Sequence, residues 1–245
     1  MNNNIDFLMP IYVDHEDRLI NLKYVLYTLN SYGFNNLIIK EYYKDYPKCK
    51  DFQVPVKYFS EKLNDDNFNK MKCVNELFDV STSKYISIYD IDVIIPKKDL
   101  LESLSFLEEG ADIVYPYNGM FLNIPKSKLN EFKTTKKINF EDCEMANPNS
   151  YGGCVIYNRK VFEDGGKCNP KFKNVGFDDN ELFIRFNRLG YNIRRTHSPL
   201  LHMEHYRSET SVENSIFLNH NMQIYNYICT IPIEKLKEEI KSWVT

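Results

Sequence analysis

No stretch of the 245-residue chain approaches the roughly 18 consecutive apolar residues that a membrane span requires. The opening Met1-Asn2-Asn3-Asn4-Ile5-Asp6 lacks the basic and apolar regions of a signal peptide, so the expected compartment is the cytoplasm. Lys/Arg blocks are missing as well, and the net charge is −3. A polyphosphate backbone wants a basic face, so nucleic acid is excluded as a partner. The six cysteines (Cys49, Cys73, Cys143, Cys154, Cys168 and Cys229) show no CxxC pairing. They read as reduced, mostly buried thiols, which excludes a disulfide frame or a zinc site. No GxGxxG follows the first strand, no GxxxxGK[ST] occurs and no GxSxG occurs. These absences exclude a dinucleotide dehydrogenase, a P-loop enzyme and an α/β-hydrolase.

What is present suits a soluble α/β protein, with a hydrophobic content of 43% that is enough for a core. Ile5 to Val13 is apolar and β-prone, a buried first strand. Leu19, Leu22, Val25, Leu26 and Leu29 then recur at helical spacing until Gly33. Leu37-Ile38-Ile39 reads as a second strand, Phe68 to Val80 as a helix and Tyr85 to Ile95 as a strand carrying two carboxylates. Pro96 opens a further helix to Glu109. This alternation predicts an open, mainly parallel sheet flanked by helices. Further on, 113–115 and 153–157 read as strands around a polar segment from Lys126 to Asn149. Asp179 to Leu189 reads as a helix ended by Gly190. Val212 to Val244 reads as two helices separated at Pro232. Ile233, Leu236, Ile240 and Trp243 form a stripe, while Glu234, Glu238 and Glu239 nearly cancel Lys235, Lys237 and Lys241. That charge balance favours packing on the chain's own domain or a second subunit, with peripheral membrane contact as the alternative.

Three constellations could carry chemistry. Asp90 and Asp92, on one side of a strand by alternation, could hold a divalent cation and a ribose hydroxyl. Chance alone supplies about one DxD in such a chain, but a carboxylate in a buried strand is costly unless paired or metal-bound. A salt bridge is the plain alternative. His202 and His205 flank Met203-Glu204; imidazoles suit a transition cation beside carboxylates, although a lone histidine is more often structural. Asp178-Asp179 at a helix start is either an N-cap or a general base facing a hydroxyl. Gly152-Gly153 is a turn or a place where backbone approaches a ligand.

Taken in order, these pieces resemble the β-1,4-galactosyltransferase family and the related family-2-like bacterial capsule glycosyltransferases. Arg18 followed by Leu22-Lys23-Tyr24-Val25-Leu26-Tyr27-Thr28-Leu29 is similar to the family's Arg-then-LKYxLYxL helix. Phe68-Asn69-Lys70-Met71-Lys72 with Asn75 is similar to FNRAK..N, and Tyr89 to Pro96 to its DVDLIP strand. Gly152-Gly153, Phe162 and Gly176-Phe177-Asp178-Asp179-Asn180-Glu181-Leu182 follow its GG…F…GWGGEDDDL order. His205-Tyr206-Arg207 falls where it has H-x-R.

The resemblance implies a GT-A fold over residues 1–210, with a nucleotide-binding half near 1–96, an acceptor-side half near 97–210 and a helical appendage at 211–245. It implies Asp92 and His205 as ligands of Mn2+ or Mg2+, with His202 as the substitute. Pro10, Tyr12, Arg18, Asp90, Gly152 and Gly153 would surround a UDP-sugar. Asp179 would be the base and Asp178 an acceptor of a sugar hydroxyl. The implied activity is inverting transfer of a hexose or N-acetylhexosamine to a saccharide, including a lipid-linked one, in capsule or lipopolysaccharide synthesis. The sequence also departs from the family. Asn174-Val175-Gly176-Phe177 replaces a Trp-rich loop that packs on the acceptor. The acidic cluster is reduced, which leaves the base open between Asp178 and Asp179. Ser150 replaces an aromatic residue, which leaves room for an N-acetylated donor. A nucleotidyltransferase is the enzyme alternative, although Pro10 to His15 lacks that class's Gly-rich loop; a non-catalytic sugar-binding protein is the other.

Overall fold

The computed structural model describes residues 4–64, 68–174, 176–206 and 217–243. Arg207, the expected boundary at 210/211 and the first residues of the expected C-terminal helices (212–216) lie outside them.

The apolar run at the start forms β1 (Ile5–Tyr12), buried along almost its whole length as a strand covered on both faces must be. Helix α1 (Glu16–Ser31) follows, capped by His15, whose ring accepts from the Asp17 amide. Next come β2 (Leu37–Tyr43), β3 (Lys57–Lys62), α2 (Lys70–Val80), β4 (Tyr85–Tyr89), β5 (Val93–Ile94) and α3 (Lys97–Glu108). The second half adds β6 (Ile113–Tyr115), β7 (Phe121–Ile124), α4 (Lys126–Thr135), β8 (Glu144–Asn147), β9 (Cys154–Asn158) and α5 (Arg159–Asp164). It ends with α6 (Asp178–Arg188), β10 (Ile193–Arg195), β11 (Leu200–Met203), α7 (Leu218–Thr230) and α8 (Ile233–Lys241).

The main sheet has the order β10-β6-β9-β4-β1-β2-β3. Every pairing in it is parallel except those of β9, which runs antiparallel to β4 and β6. Pro10 sits in the middle of this sheet because β4 pairs with β1 only from Ile5 to Leu8, so Pro10 faces a neighbour on one side alone. A second sheet, β5-β11-β7-β8, stands beside it.

One sequence expectation changes. The segment from Tyr85 to Ile95 is two strands, one in each sheet, with Asp90 to Asp92 in the turn between them. The cause is local. Asp90 still donates its amide to the Gly153 carbonyl at 2.8 Å, and then the chain turns so that β5 pairs with β11. The two carboxylates are therefore not side by side through strand alternation. The polar segment from Lys126 to Asn149, to which the sequence assigns no element, holds α4 and the exposed strand β8.

At the C-terminal end, Ile228, Ile231, Leu236 and Ile240 form a small apolar cluster with Leu189 and Trp243. Arg188 donates to the carbonyls of Ile228, in the last turn of α7, and of Ile231, just beyond it. The apolar stripe of α8 is thus spent on the chain itself. Among the described residues no helix is long and apolar enough to cross a membrane.

Candidate active site

The switch from β4 to β5 delivers Asp92 to β11, where it meets two imidazoles. His205 Nε2 lies 3.1 Å from one Asp92 oxygen and His202 Nε2 lies 3.8 Å from the other. All three side chains are buried, and their ligand atoms lie within 4.8 Å of one another. Backbone bonds fix the geometry: Met203 donates to the Asp92 carbonyl at 2.8 Å, and Asn21 from α1 donates to the Met203 carbonyl at 3.0 Å. Arg18, in the first turn of α1, reaches Asp14 at 2.9 Å and Asp92 at 3.6 Å.

This donor set fits a cation. His205 Nδ1 is 2.8 Å from the Tyr206 carbonyl, an acceptor only, so that nitrogen carries the proton in the neutral ring. His202 Nδ1 similarly faces the Asn123 amide oxygen at 2.9 Å. Both Nε2 lone pairs then converge on a carboxylate, an arrangement that repels itself unless a proton or a metal ion sits among them. With protons as the occupants, burial still opposes ionisation of Asp92, but the hydrogen bond from a protonated His205 and the charges of His202 and Arg18 hold its carboxyl well below the usual range. The mix of imidazole and carboxylate matches a transition cation such as manganese better than the all-oxygen preference of magnesium.

Beyond this triad lies a second charged knot. The ammonium of Lys70, at the start of α2, is 3.0 Å from Asp90 and 3.6 Å from Asp179. Burial works against its charge, but Asp179, Asp90 and Asp178 together raise its pKa well above the ordinary value. Burial also pushes Asp90 upward, partly offset by Lys70 and reinforced by Asp92. For Asp179, burial raises the carboxyl to about 7; Lys70 opposes the rise, and Asp178 and Asp90 add to it. A carboxyl poised near 7 is suited to taking a proton. Asp178 instead turns back to accept the Gly176 amide at 2.9 Å. Both aspartates are in the first turn of α6, and the capping position belongs to Phe177, held at φ 63° with no side-chain cap.

The Gly152-Gly153 turn closes the site from the other side. A Cβ on Gly152 would lie 2.5 Å from an Asp179 oxygen, and one on Gly153 (φ +85°) would meet Leu200 at 2.5 Å. The turn is pinned from behind: Tyr117 donates to the carbonyls of Ser150 and Gly152, and Arg195 donates to that of Ser150. Arg195 in turn rests on the rings of Tyr115, Tyr117 and Tyr151.

The structure therefore brings Asp90, Asp92, His202, His205, Arg18, Gly152, Asp178 and Asp179 into one neighbourhood. His202 joins the cluster with His205 and does not replace it. Pro10 is buried in β1, and Tyr12, at the end of that strand, stacks against Phe68 with centroids 6.1 Å apart. Lys70 is the residue that sequence reasoning missed. Its signal was available: it stands four residues before Val74, in the buried register of α2, where a charge needs a partner. Asn75, quoted for its motif position, clamps the Cys168 backbone through both its amide groups at 2.9 Å.

No protein-family model and no curated protein matches this sequence. Among solved structures, the catalytic domain of Drosophila β1,4-galactosyltransferase 7 in complex with xylobiose aligns with a TM-score of 0.51 at 16% identity. The alignment covers 79% of this chain but only 64% of that one. A mutant of the same Drosophila enzyme with manganese, UDP-Gal and xylobiose aligns at 0.47 and 16% identity, over 78% of this chain and 64% of that one. The mannosyltransferase PcManGT from Pyrobaculum calidifontis, with GDP-Man and Mn2+, aligns at 0.49 and 15%, over 82% and 56%. At such identities the likeness concerns the fold, and the fold is GT-A.

Proposed function

We propose that this chain is a metal-dependent, inverting glycosyltransferase that moves a hexose or N-acetylhexosamine from a UDP-sugar to a saccharide hydroxyl. The observation that carries the reading is the pairing of a buried Asp92-His202-His205 cluster with a partly buried carboxyl, Asp179, poised near neutrality. A GT-A fold alone would not distinguish a transferase from other users of nucleotide sugars.

In this reading Asp92, His202 and His205 hold a manganese or magnesium ion, which supplies positive charge for the departing diphosphate. Arg18 stands beside Asp92 as a fixed cation for the same phosphates. The paired rings of Tyr12 and Phe68, near Pro10, form the face for the uracil. Asp90 takes a ribose hydroxyl, and the bare backbone at Gly152-Gly153 lets the donor sugar approach. Asp179 removes the proton from the acceptor hydroxyl as that oxygen bonds to the anomeric carbon. The bond from that carbon to the UDP oxygen breaks, the configuration inverts and the proton passes from Asp179 to solvent. Asp178 accepts a sugar hydroxyl next to it. Residues 1–210 form the catalytic unit and 211–245 an appendage to it. The setting is surface-glycan synthesis of capsule or lipopolysaccharide type in the cytoplasm, on an acceptor that includes lipid-linked forms.

Slow hydrolysis of a UDP-sugar panel, with water as acceptor, tests the reading without knowledge of the natural acceptor. At least one donor is hydrolysed in the presence of Mn2+ and is spared on chelation. Asp179→Asn lowers that rate by about 10²–10⁴-fold. A rate indifferent to metal, or no hydrolysis of any UDP-sugar, contradicts the proposal.

A further inference from the structure

Away from Asp179, α7, α8 and the loop that follows Cys168 enclose a cleft of about 280 Å³. That is just below the ~300–1,000 Å³ of ordinary small-ligand pockets, so it suits one or two sugar rings better than a nucleotide. Its walls combine two kinds of surface. Tyr227 and Trp243 present aromatic rings, and the Trp243 indole is steadied by the buried Arg185 guanidinium 5.1 Å from the ring. Between them stand groups that pair with hydroxyls: Asn169, Gln223, His220 and Glu239.

Asn169 is the telling residue. It is 1% exposed, and its amide oxygen accepts from the Lys171 backbone at 3.0 Å. Its amide nitrogen is buried and has no partner. A buried donor left unsatisfied is costly, so this one is explained if an incoming oxygen completes it. The charge pattern narrows the class of ligand. Among the described residues that line the cleft, the single lysine, Lys171, is paired with Glu239 across it, which disfavours a phosphate. The alternating apolar faces and hydroxyl edges of a neutral pyranose match aromatic rings set among amide and carboxylate groups.

We infer that this cleft is a saccharide-binding subsite for a neutral sugar residue of the acceptor glycan, remote from the hydroxyl that reacts. Its link to the acceptor rests on the glycosyltransferase reading; saccharide binding itself does not. The chain provides the connection. The segment that begins at Asn169 runs to Phe177 and Asp178, and Tyr225, one half-turn before Tyr227, stacks on Phe177 with centroids 5.5 Å apart. One helix, α7, therefore borders both the cleft and the entrance to the carboxylates.

Trp243 is the only tryptophan of the protein and it lines the cleft, so its fluorescence reports on this site alone. The intact protein is titrated with methyl β-glycosides of glucose, galactose and N-acetylglucosamine, and with their β-linked disaccharides. At least one gives a saturable change in Trp243 emission. Asn169→Asp keeps the accepting oxygen and removes the free donor; Tyr227→Ala removes a ring that is 38% exposed and outside the core. Each weakens binding by about tenfold or more, with Mn2+-dependent UDP-sugar hydrolysis unchanged. No response to any saccharide, or a response of equal affinity in both variants, overturns the inference. A saturable response in a protein that hydrolyses no UDP-sugar upholds the cleft and removes the parent reading instead.

Discussion

Replacing Gly152 by alanine separates the needs of the fold from those of the reaction. Gly152 does not occupy the left-handed backbone region, so alanine fits its conformation, and the change removes freedom from the unfolded chain. The new Cβ would stand 2.5 Å from an Asp179 oxygen and 3.3 Å from its Cγ. An ordinary contact needs about 0.9 Å more, and the end of the Asp179 side chain can give way without disturbing the core. Folding is therefore little affected: stability stays level or rises by up to ~1 kcal/mol. The reaction is affected strongly, because a carboxylate misplaced by about 1 Å costs on the order of 10²-fold in rate. The assay is metal-dependent UDP-sugar hydrolysis, alongside thermal unfolding of the same preparations. Gly153→Ala is the contrasting control: φ is +85° and Leu200 blocks the Cβ, so it lowers stability by more than ~1 kcal/mol. A Gly152→Ala protein with the wild-type rate would refute the placement of Asp179 at the reacting centre. Parallel losses of rate and stability would refute the claim that the turn serves the reaction.

Three further outcomes follow from the same contacts. With a carboxyl near 7 as the base, the hydrolysis rate rises with pH through about 7 and levels off above it, since only the ionised form accepts a proton. Lys70→Met removes the cation that opposes the upward pull of burial, Asp178 and Asp90, so the rising limb moves to higher pH; an unmoved limb would dissociate Lys70 from the base. Glu181→Ala leaves Arg185, which is fully buried, without its 2.7 Å partner, and urea denaturation should show a loss of about 3–5 kcal/mol; a loss below ~1 kcal/mol would mean the pair contributes little.

Much of the fold was legible where local pattern and tertiary role coincide. The unbroken apolar run of β1 and the stripe of α1 need no long-range information, and Pro96 marks the start of α3 in sequence and in space alike. The second sheet was not legible as such. Its strands are short, β5 having two residues and β11 four, and they are defined by one another, not by their own periodicity. The same limit explains the misplaced Asp90 and Asp92. Period-2 reasoning put them on one face of a strand, while pairing of β5 with β11 turns the chain between them. Residue identity at the site was legible because buried carboxylates and paired histidines are costly without a purpose. Lys70 was not seen because its partners, Asp90 and Asp179, are 20 and 109 positions away in the chain.

The most direct test of the central claim is Mn2+ binding by the protein in the presence of UDP, followed by isothermal titration for the wild type and for Asp92→Ala, His202→Ala and His205→Ala. The account predicts a saturable site in the wild type, weakened by at least about tenfold in Asp92→Ala and His205→Ala, with all variants folded. His202→Ala loses affinity as well, since its Nε2 faces the same carboxylate. Wild-type affinity for Mn2+ in all three variants would contradict the claim that Asp92, His202 and His205 form the metal site.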